Sequence, residues 1–344
     1  MTGSRKVVVA SLLVVAGLGL AWFGFNLKAG GSFAMTGGSI EWWPSETAPV
    51  DRPVYLVAGN FILPDGSAIP IPGQRVARAG WGKLGSTHII EPDRKPLPVA
   101  VEATWYALAE GTAYKGRADL PVETIATLFA TDVPNPLGGS SEKPDRLVLG
   151  MAPGGDMAVW VVGVNGSVLI GMYPAERIDL DVKQALELME EAEPEAVLEM
   201  LLEESLSPEA RAGLQRTGPL PGFWRELDRR FSWTPSIANK QASAYQLKAL
   251  NGEVEWMGAA PSDAGRAAPD AMDVYWRDGD RDLVTEIVFD RQETRALFAA
   301  FPKGSSLQMV FELAQSPPSA RIVLTDGIDR RPFTQITASL YSAR

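Results

Sequence analysis

Turn-forming residues cut this chain into short runs of alternating, β-branched and aromatic composition, a pattern that calls for antiparallel sheet. Residues 54–63 (VYLVAGNFIL) end at Pro64, Asp65 and Gly66. Residues 99–108 (VAVEATWYAL) turn at Glu110 and Gly111 into residues 112–118 as a hairpin. Pro121 opens a helix through Ala130, with Ile125, Leu128 and Phe129 on one face. Strands are then expected over residues 146–151, 157–164 and 167–173, separated by turns at Pro153, Gly154 and Gly155 and at Asn165 and Gly166.

The same order returns in the second half. Residues 243–250 and 253–257 flank Asn251 and Gly252, a strong hairpin signal. Residues 272–277 and 283–289 flank a turn at Asp278, Gly279 and Asp280, and Asp290 caps a helix to Phe301. Strands over residues 306–313, 320–325 and 333–341 close the chain. Leu120 followed by Glu123, Thr124, Leu128 and Phe129 matches Phe289 followed by Glu293, Thr294, Leu297 and Phe298 at constant offset, and Trp105 and Trp276 occupy corresponding hairpins. The expected fold is therefore α+β, with two related antiparallel-sheet lobes that each carry a packed helix.

Between them, residues 179–205 are helical in composition, with Leu186, Met189, Val197, Leu198, Leu201 and Leu202 available for an apolar stripe and Pro194 as a break. Ser207 and Pro208 look like the cap and first position of a further helix. Residues 175–210 hold twelve acids and two bases out of 42 and 32 in the chain, so the remainder is neutral and the net charge of −10 belongs to this segment. That balance disfavours nucleic acid as a partner. Glu190, Glu191, Glu199 and Glu203 read either as a binding face for a basic protein or as a solvated helix face.

At the N-terminus, Arg5 and Lys6 precede nineteen uncharged residues, 7–25, long enough as a helix to span a bilayer. This predicts a single-pass inner-membrane protein with its bulk in the periplasm; cleavage near Ala34 and secretion is the alternative. The expected division is a signal anchor over residues 1–28, a flexible tether over 29–41, a first lobe over 42–178, an acidic helical connector over 179–222 and a second lobe over 223–344.

The chain has no cysteine and one histidine, His88, which excludes thiol chemistry and multi-histidine metal centres. It has no G-x-S-x-G elbow, H-E-x-x-H pair or G-x-x-x-x-G-K-[ST] loop. Asp278, Asp280 and Asp282 imitate a calcium loop, but Leu283 stands where glycine is needed and Phe289 where a bidentate glutamate belongs, so they read as a hairpin tip. The expectation is a non-enzyme with no catalytic residues, metal or cofactor. Trp105, Trp160 and Trp276 lie in alternating strands and read as core, whereas Trp42, Trp43 and Trp81 lie in Gly/Pro-rich segments and read either as caps on their own core or as anchors for a partner.

Residues 81–86 (WGKLGS), 95–98 (KPLP), 103–114 (ATWYALAEGTAY), 150–160 (GMAPGGDMAVW) and 223–233 (FWRELDRRFSW), followed by Asn251, Gly252 and Glu253, resemble a bacterial lipoprotein-type family catalogued as domain of unknown function 2931, from about Trp42 to the C-terminus. The chain departs from that family in lacking a lipidated cysteine. The resemblance implies an envelope-facing protein often encoded beside type VI secretion genes and toxic lipase effectors. The function expected from it is an immunity protein that binds and occludes such an effector; the alternative is a structural or accessory protein of a secretion apparatus.

Overall fold

The computed structural model describes residues 38–87, 89–214, 222–238, 240–315 and 318–343. In chain order the elements are β1 (Ile40–Glu41), β2 (Trp43–Thr47), β3 (Val54–Ile62), β4 (Ala68–Pro70), β5 (Arg75–Ala77), β6 (Arg94–Lys95), β7 (Ala100–Ala107), β8 (Thr112–Asp119), α1 (Val122–Ala130), β9 (Arg146–Ala152), β10 (Asp156–Gly163), β11 (Gly166–Pro174) and β12 (Glu176–Ile178). Four short helices follow: α2 (Val182–Ala185), α3 (Pro194–Ser205), α4 (Pro208–Leu214) and α5 (Phe223–Glu226). The rest is β13 (Arg230–Ile237), β14 (Ala242–Ala249), β15 (Val254–Gly258), β16 (Ala264–Ala267), β17 (Pro269–Asp278), β18 (Arg281–Phe289), α6 (Arg291–Ala299), β19 (Ser306–Gln315), β20 (Pro318–Thr325), β21 (Arg330–Pro332) and β22 (Ile336–Ser342).

One nine-stranded sheet runs through both halves in the order β2-β9-β10-β11-β15-β14-β17-β18-β22. A six-stranded sheet (β12-β8-β7-β3-β4, with β5 beside β3) and a five-stranded sheet (β16-β13-β19-β20-β21) accompany it, and β1 pairs with β6. Alternation decides what each face buries. In β9 and β10, Leu147, Leu149, Met151, Met157, Val159 and Val161 join the core made with β3 and β7 of the six-stranded sheet. Their neighbours Val148, Ala152, Ala158, Trp160 and Val162 join a second core with Trp224, Trp233, Leu247, Met272, Phe298 and Phe311. The helices α1 and α6 begin where expected; the Asp290 carboxylate accepts the Glu293 N–H at 2.7 Å, an N-cap that satisfies one of the free donors of α6.

Three expectations are corrected. The fold is predominantly β, with 22 strands against six short helices among the described residues, rather than two α+β lobes. It is also mixed: β2 runs parallel to β9 and β13 parallel to β19. The halves share a sheet because the outward edge of β11 bonds the outward edge of β15 at Ser167 and Val254, and because side chains of the first half complete the second core. The acidic segment is not a helical connector either. Leu186, Leu198, Leu201 and Leu202 lie against Tyr106, Leu108, Tyr55 and Val76, so α2 and α3 cover the outer face of the six-stranded sheet, and Arg78 donates to the Ser205 carbonyl at 2.9 Å. Among the described residues no helix is long and apolar enough to cross a membrane, so the expected transmembrane helix and inner-membrane location are not supported. Residues 7–25, Ala34 and His88, on which earlier expectations rested, lie outside the described residues.

Burial gives the fold an alkaline limit. Desolvation pushes the phenols of Tyr173 and Tyr245 from 10.0 up to about 12, and desolvation aided by the Glu110 carboxylate does the same for Tyr114. A raised folded value means that the stability from a neutral phenol is complete below pH ~10 and is lost as pH rises towards the folded value. We expect these three tyrosines to stay protonated at pH 11 while the chain remains folded, and denaturation to set in between 10 and about 12. Ultraviolet titration alongside circular dichroism checks this; ionisation of every tyrosine near pH 10 with the fold intact would contradict it.

Candidate functional site

Four of the sequence segments quoted for the family resemblance, 81–86, 150–160, 223–233 and 251–253, meet at the junction of the two halves. Trp81 stands edge-on to Trp160 at 4.9 Å and leans on Trp224 at 5.0 Å. The Trp160 indole N–H donates to the Asn251 carbonyl at 3.1 Å, and the Ser167 hydroxyl donates to the Gly252 carbonyl at 3.0 Å. Gly82 and Gly252 both have positive φ, and a Cβ on Gly252 would lie 2.7 Å from the Cα of Gly82, so only two glycines let these backbones touch. Glu253, 1% exposed, accepts from Arg230 at 2.6 and 3.0 Å, from the Asn251 amide at 2.8 Å and from the Leu169 N–H at 3.1 Å.

Burial raises the pKa of Glu253 and Arg230 partly offsets it; Asp156 follows the same rule, with Arg225 at 2.5 Å. These carboxylates are perturbed because they are dry and paired, which is a structural cause. The node holds the halves together, and its partly exposed carboxylate, Asp228, is tied to Arg230 and to the Asn251 amide at 2.9 Å each.

The accessible site lies beside it. Strand β14 turns at Asn251 and Gly252 into β15, and the Ala249 N–H donates to the Glu253 carbonyl at 2.8 Å. In an antiparallel ladder hydrogen-bonded and open rungs alternate, so Val254, Trp256 and Gly258 direct their N–H and C=O groups away from β14. Val254 is covered by Ser167, the last residue that β11 offers before its hairpin turns at Val164 and Asn165. Trp256 and Gly258 run on past that turn. Next to their open edge is a cleft of about 340 Å³ lined by Leu128, Val133, Pro134, Pro144, Val168 and Trp256.

The charged groups at the cleft neutralise each other. Glu255 accepts from Arg266 at 2.7 and 3.1 Å, and Arg266, 2% exposed, also donates to the carbonyls of Trp233 at 3.0 Å and Ser262 at 2.9 Å. Burial raises the Glu255 pKa and Arg266 partly offsets it. Beyond the cleft, the face of β15, β14, β17 and β18 that points away from the second core carries Gln246, Trp256, Tyr275, Val284 and Glu286, all half-buried, with Val288 exposed. Trp256 and Tyr275 lie 5.5 Å apart, and Lys248 pairs with Asp273 at 3.0 Å. This surface is aromatic and close to neutral, a composition suited to protein recognition. A second recess of about 610 Å³ is lined by Arg225 and Arg295, which are engaged by Asp156 and by Glu226 at 2.5 Å.

The structure does not bring the expected partner-binding residues together. Trp42 is fully buried, 5.6 Å from Phe61, with its indole N–H donated to the Pro96 carbonyl at 3.1 Å. Trp81 is buried in the junction, and Trp43 is half-buried beneath the Arg146 guanidinium at 4.4 Å. Glu190, Glu191, Glu199 and Glu203 are exposed, and Arg211 of α4 pairs with Glu199 and lies 3.7 Å from Glu203. Exposed pairs of this kind are worth about 0–1 kcal/mol. Replacing the four glutamates together by glutamine should therefore leave the thermal midpoint nearly unchanged; if they form a steering face, the variant should associate with a basic partner more slowly, most visibly at low salt. An unchanged on-rate would make them a solvated face only. Trp256 lies on the outer face instead, and the sequence signal for that is the alternation of β15, in which Met257 takes the core side and leaves Trp256 outside.

The family model described as a protein of unknown function (DUF2931) matches residues 34–212, just over half of the chain. The match takes in the six-stranded sheet, β9 to β11 and α3, and stops before α5 and β13. No curated protein and no solved structure matches the chain.

Proposed function

We propose that this chain, which belongs to the DUF2931 family of proteins of unknown function, is a non-catalytic recognition protein that binds a toxic lipase-type effector and blocks its active site. The observation that carries the reading is the recess at the junction, where an aromatic sheet face adjoins an apolar cleft while Glu253 and Glu255 are tied to Arg230 and Arg266. A catalytic pocket needs an ionisable or nucleophilic group aimed at the substrate with a second group to orient it. A protein-binding surface needs rigid aromatics beside a desolvated pocket, which Trp256 and Tyr275 supply here. The choice of a lipase effector comes from what the family resemblance implies about neighbouring genes.

Co-expression tests this. The toxin gene adjacent to this chain's gene, expressed in a susceptible host, should arrest growth, and this chain should restore it. Trp256→Ala should weaken the rescue, since an aromatic anchor at the centre of an interface is worth ~2 kcal/mol or more. Persistent arrest in the presence of abundant folded chain would overturn the proposal and favour an accessory role in a secretion apparatus.

A further inference from the structure

We infer that the open edge of β15 receives an extended segment of the partner protein as an added strand, with an uncharged apolar side chain of that segment seated in the cleft. The inference rests on the proposed recognition function and specifies how the partner is held. Two separate observations converge on it.

The first is main-chain chemistry. Trp256 and Gly258 direct two N–H and two C=O groups outward, past the point where the β10–β11 hairpin ends. On the other side of the Ser167–Val254 bridge the corresponding groups are capped, since Leu169 N–H goes to Glu253 and the Gly252 carbonyl to Ser167. Among the described residues nothing caps Trp256 and Gly258 in this way, and a Cβ built on Gly258 would meet no atom within 4 Å. An edge with its bonding groups exposed pairs with whatever strand can reach it unless charge, proline or a bulge protects it. The Val254–Gly258 strand (VEWMG) has neither proline nor lysine, and its one charged side chain, Glu255, is turned inward to Arg266.

The second is the cleft. Its walls are the apolar side chains of Leu128, Val133, Pro134, Pro144 and Val168, and its buried charges cancel. A small apolar molecule would fill it without using the strand edge, and a charged segment would be desolvated against a neutral wall. An extended, uncharged stretch of polypeptide satisfies both, which is the chemistry of strand addition.

The full chain is tested in two arms. In the first, the probe is the blocked peptide acetyl-Thr-Val-Thr-Leu-Thr-Val-amide, compared with the same peptide N-methylated at every residue so that neither edge can donate. Amide hydrogen exchange at Trp256 and Gly258 should slow at least tenfold at saturation with the first peptide and remain unchanged with the second. No slowing, or equal slowing with both, overturns the inference. In the second arm the adjacent-gene toxin is bound to Gly258→Pro, which removes one outward N–H and leaves the open rung to Ala244 intact. Circular dichroism confirms that the variant folds; where it does not, Gly258→Val, which crowds the edge, replaces it. The toxin should leave the variant at least tenfold faster than the wild type. An unchanged off-rate overturns strand addition while the recognition function stands. If the wild-type chain fails to bind the toxin at all, the recognition function falls, and the peptide arm still decides the inference.

Discussion

Trp160→Ala is expected to cost roughly 3–5 kcal/mol, the range for truncating a fully buried tryptophan. Trp160 is 0% exposed, touches Trp81 at 4.9 Å, and donates to the Asn251 carbonyl at 3.1 Å. Alanine removes the packing that joins the WGKLGS segment to β10, and it leaves a buried carbonyl without its donor. The side chain belongs to the core shared by both halves, so the loss should not stay in the first half. In denaturant the variant should unfold in one transition at a lower midpoint, with fluorescence and circular dichroism coincident. A variant in which one half keeps the wild-type midpoint would contradict the shared core.

Glu253→Ala should also be severe, roughly 1–3 kcal/mol, because it removes the acceptor of a buried backbone N–H and one of the two carboxylates that hold Arg230, the other being Asp228 at 2.9 Å. The carboxylate is 1% exposed and holds Arg230 by two bonds, the Asn251 amide and the Leu169 N–H. Alanine leaves the Leu169 N–H without its acceptor and leaves Arg230 and the Asn251 amide to Asp228 alone, at 2.9 Å each. Glu253→Gln keeps the shape and the acceptor oxygen, so it should recover part of the loss. A midpoint equal to wild type in the alanine variant would mean that the junction tolerates separation and that the halves are more independent than the continuous sheet implies.

Local structure was legible in the sequence to the extent that near neighbours determine it. Asn251 and Gly252 make the β14–β15 turn, Pro121 precedes α1, and Asp290 caps α6. Phe129 and Phe298, paired in the sequence repeat, are both buried. What escaped is long-range. The parallel pairing of β13 with β19 joins residues some seventy positions apart, and no local period announces it. The two-lobe reading failed for the same reason: a single bridge between Ser167 and Val254 fuses the sheet, and one bridge leaves no pattern in either strand. The stripe of Leu198, Leu201 and Leu202 was visible, but its destination, the outer face of Tyr106 and Leu108, was not. Trp42 and Trp81, in Gly/Pro-rich segments, could be read either as caps on their own core or as partner anchors, and burial of both indoles decides for the core. The candidate site was the least legible part, since it forms where residues 256–258 of β15 run on past the hairpin beside it.

Hydrogen exchange over the whole chain, with and without the adjacent-gene toxin at saturation, tests most directly that recognition takes place at the junction recess. Slowed exchange is expected in β15, at Trp256 above all, and in the cleft wall at Val133 and Val168, with little change in α3 or along β22. Protection centred on the glutamates of α3, or none in β15, would contradict it.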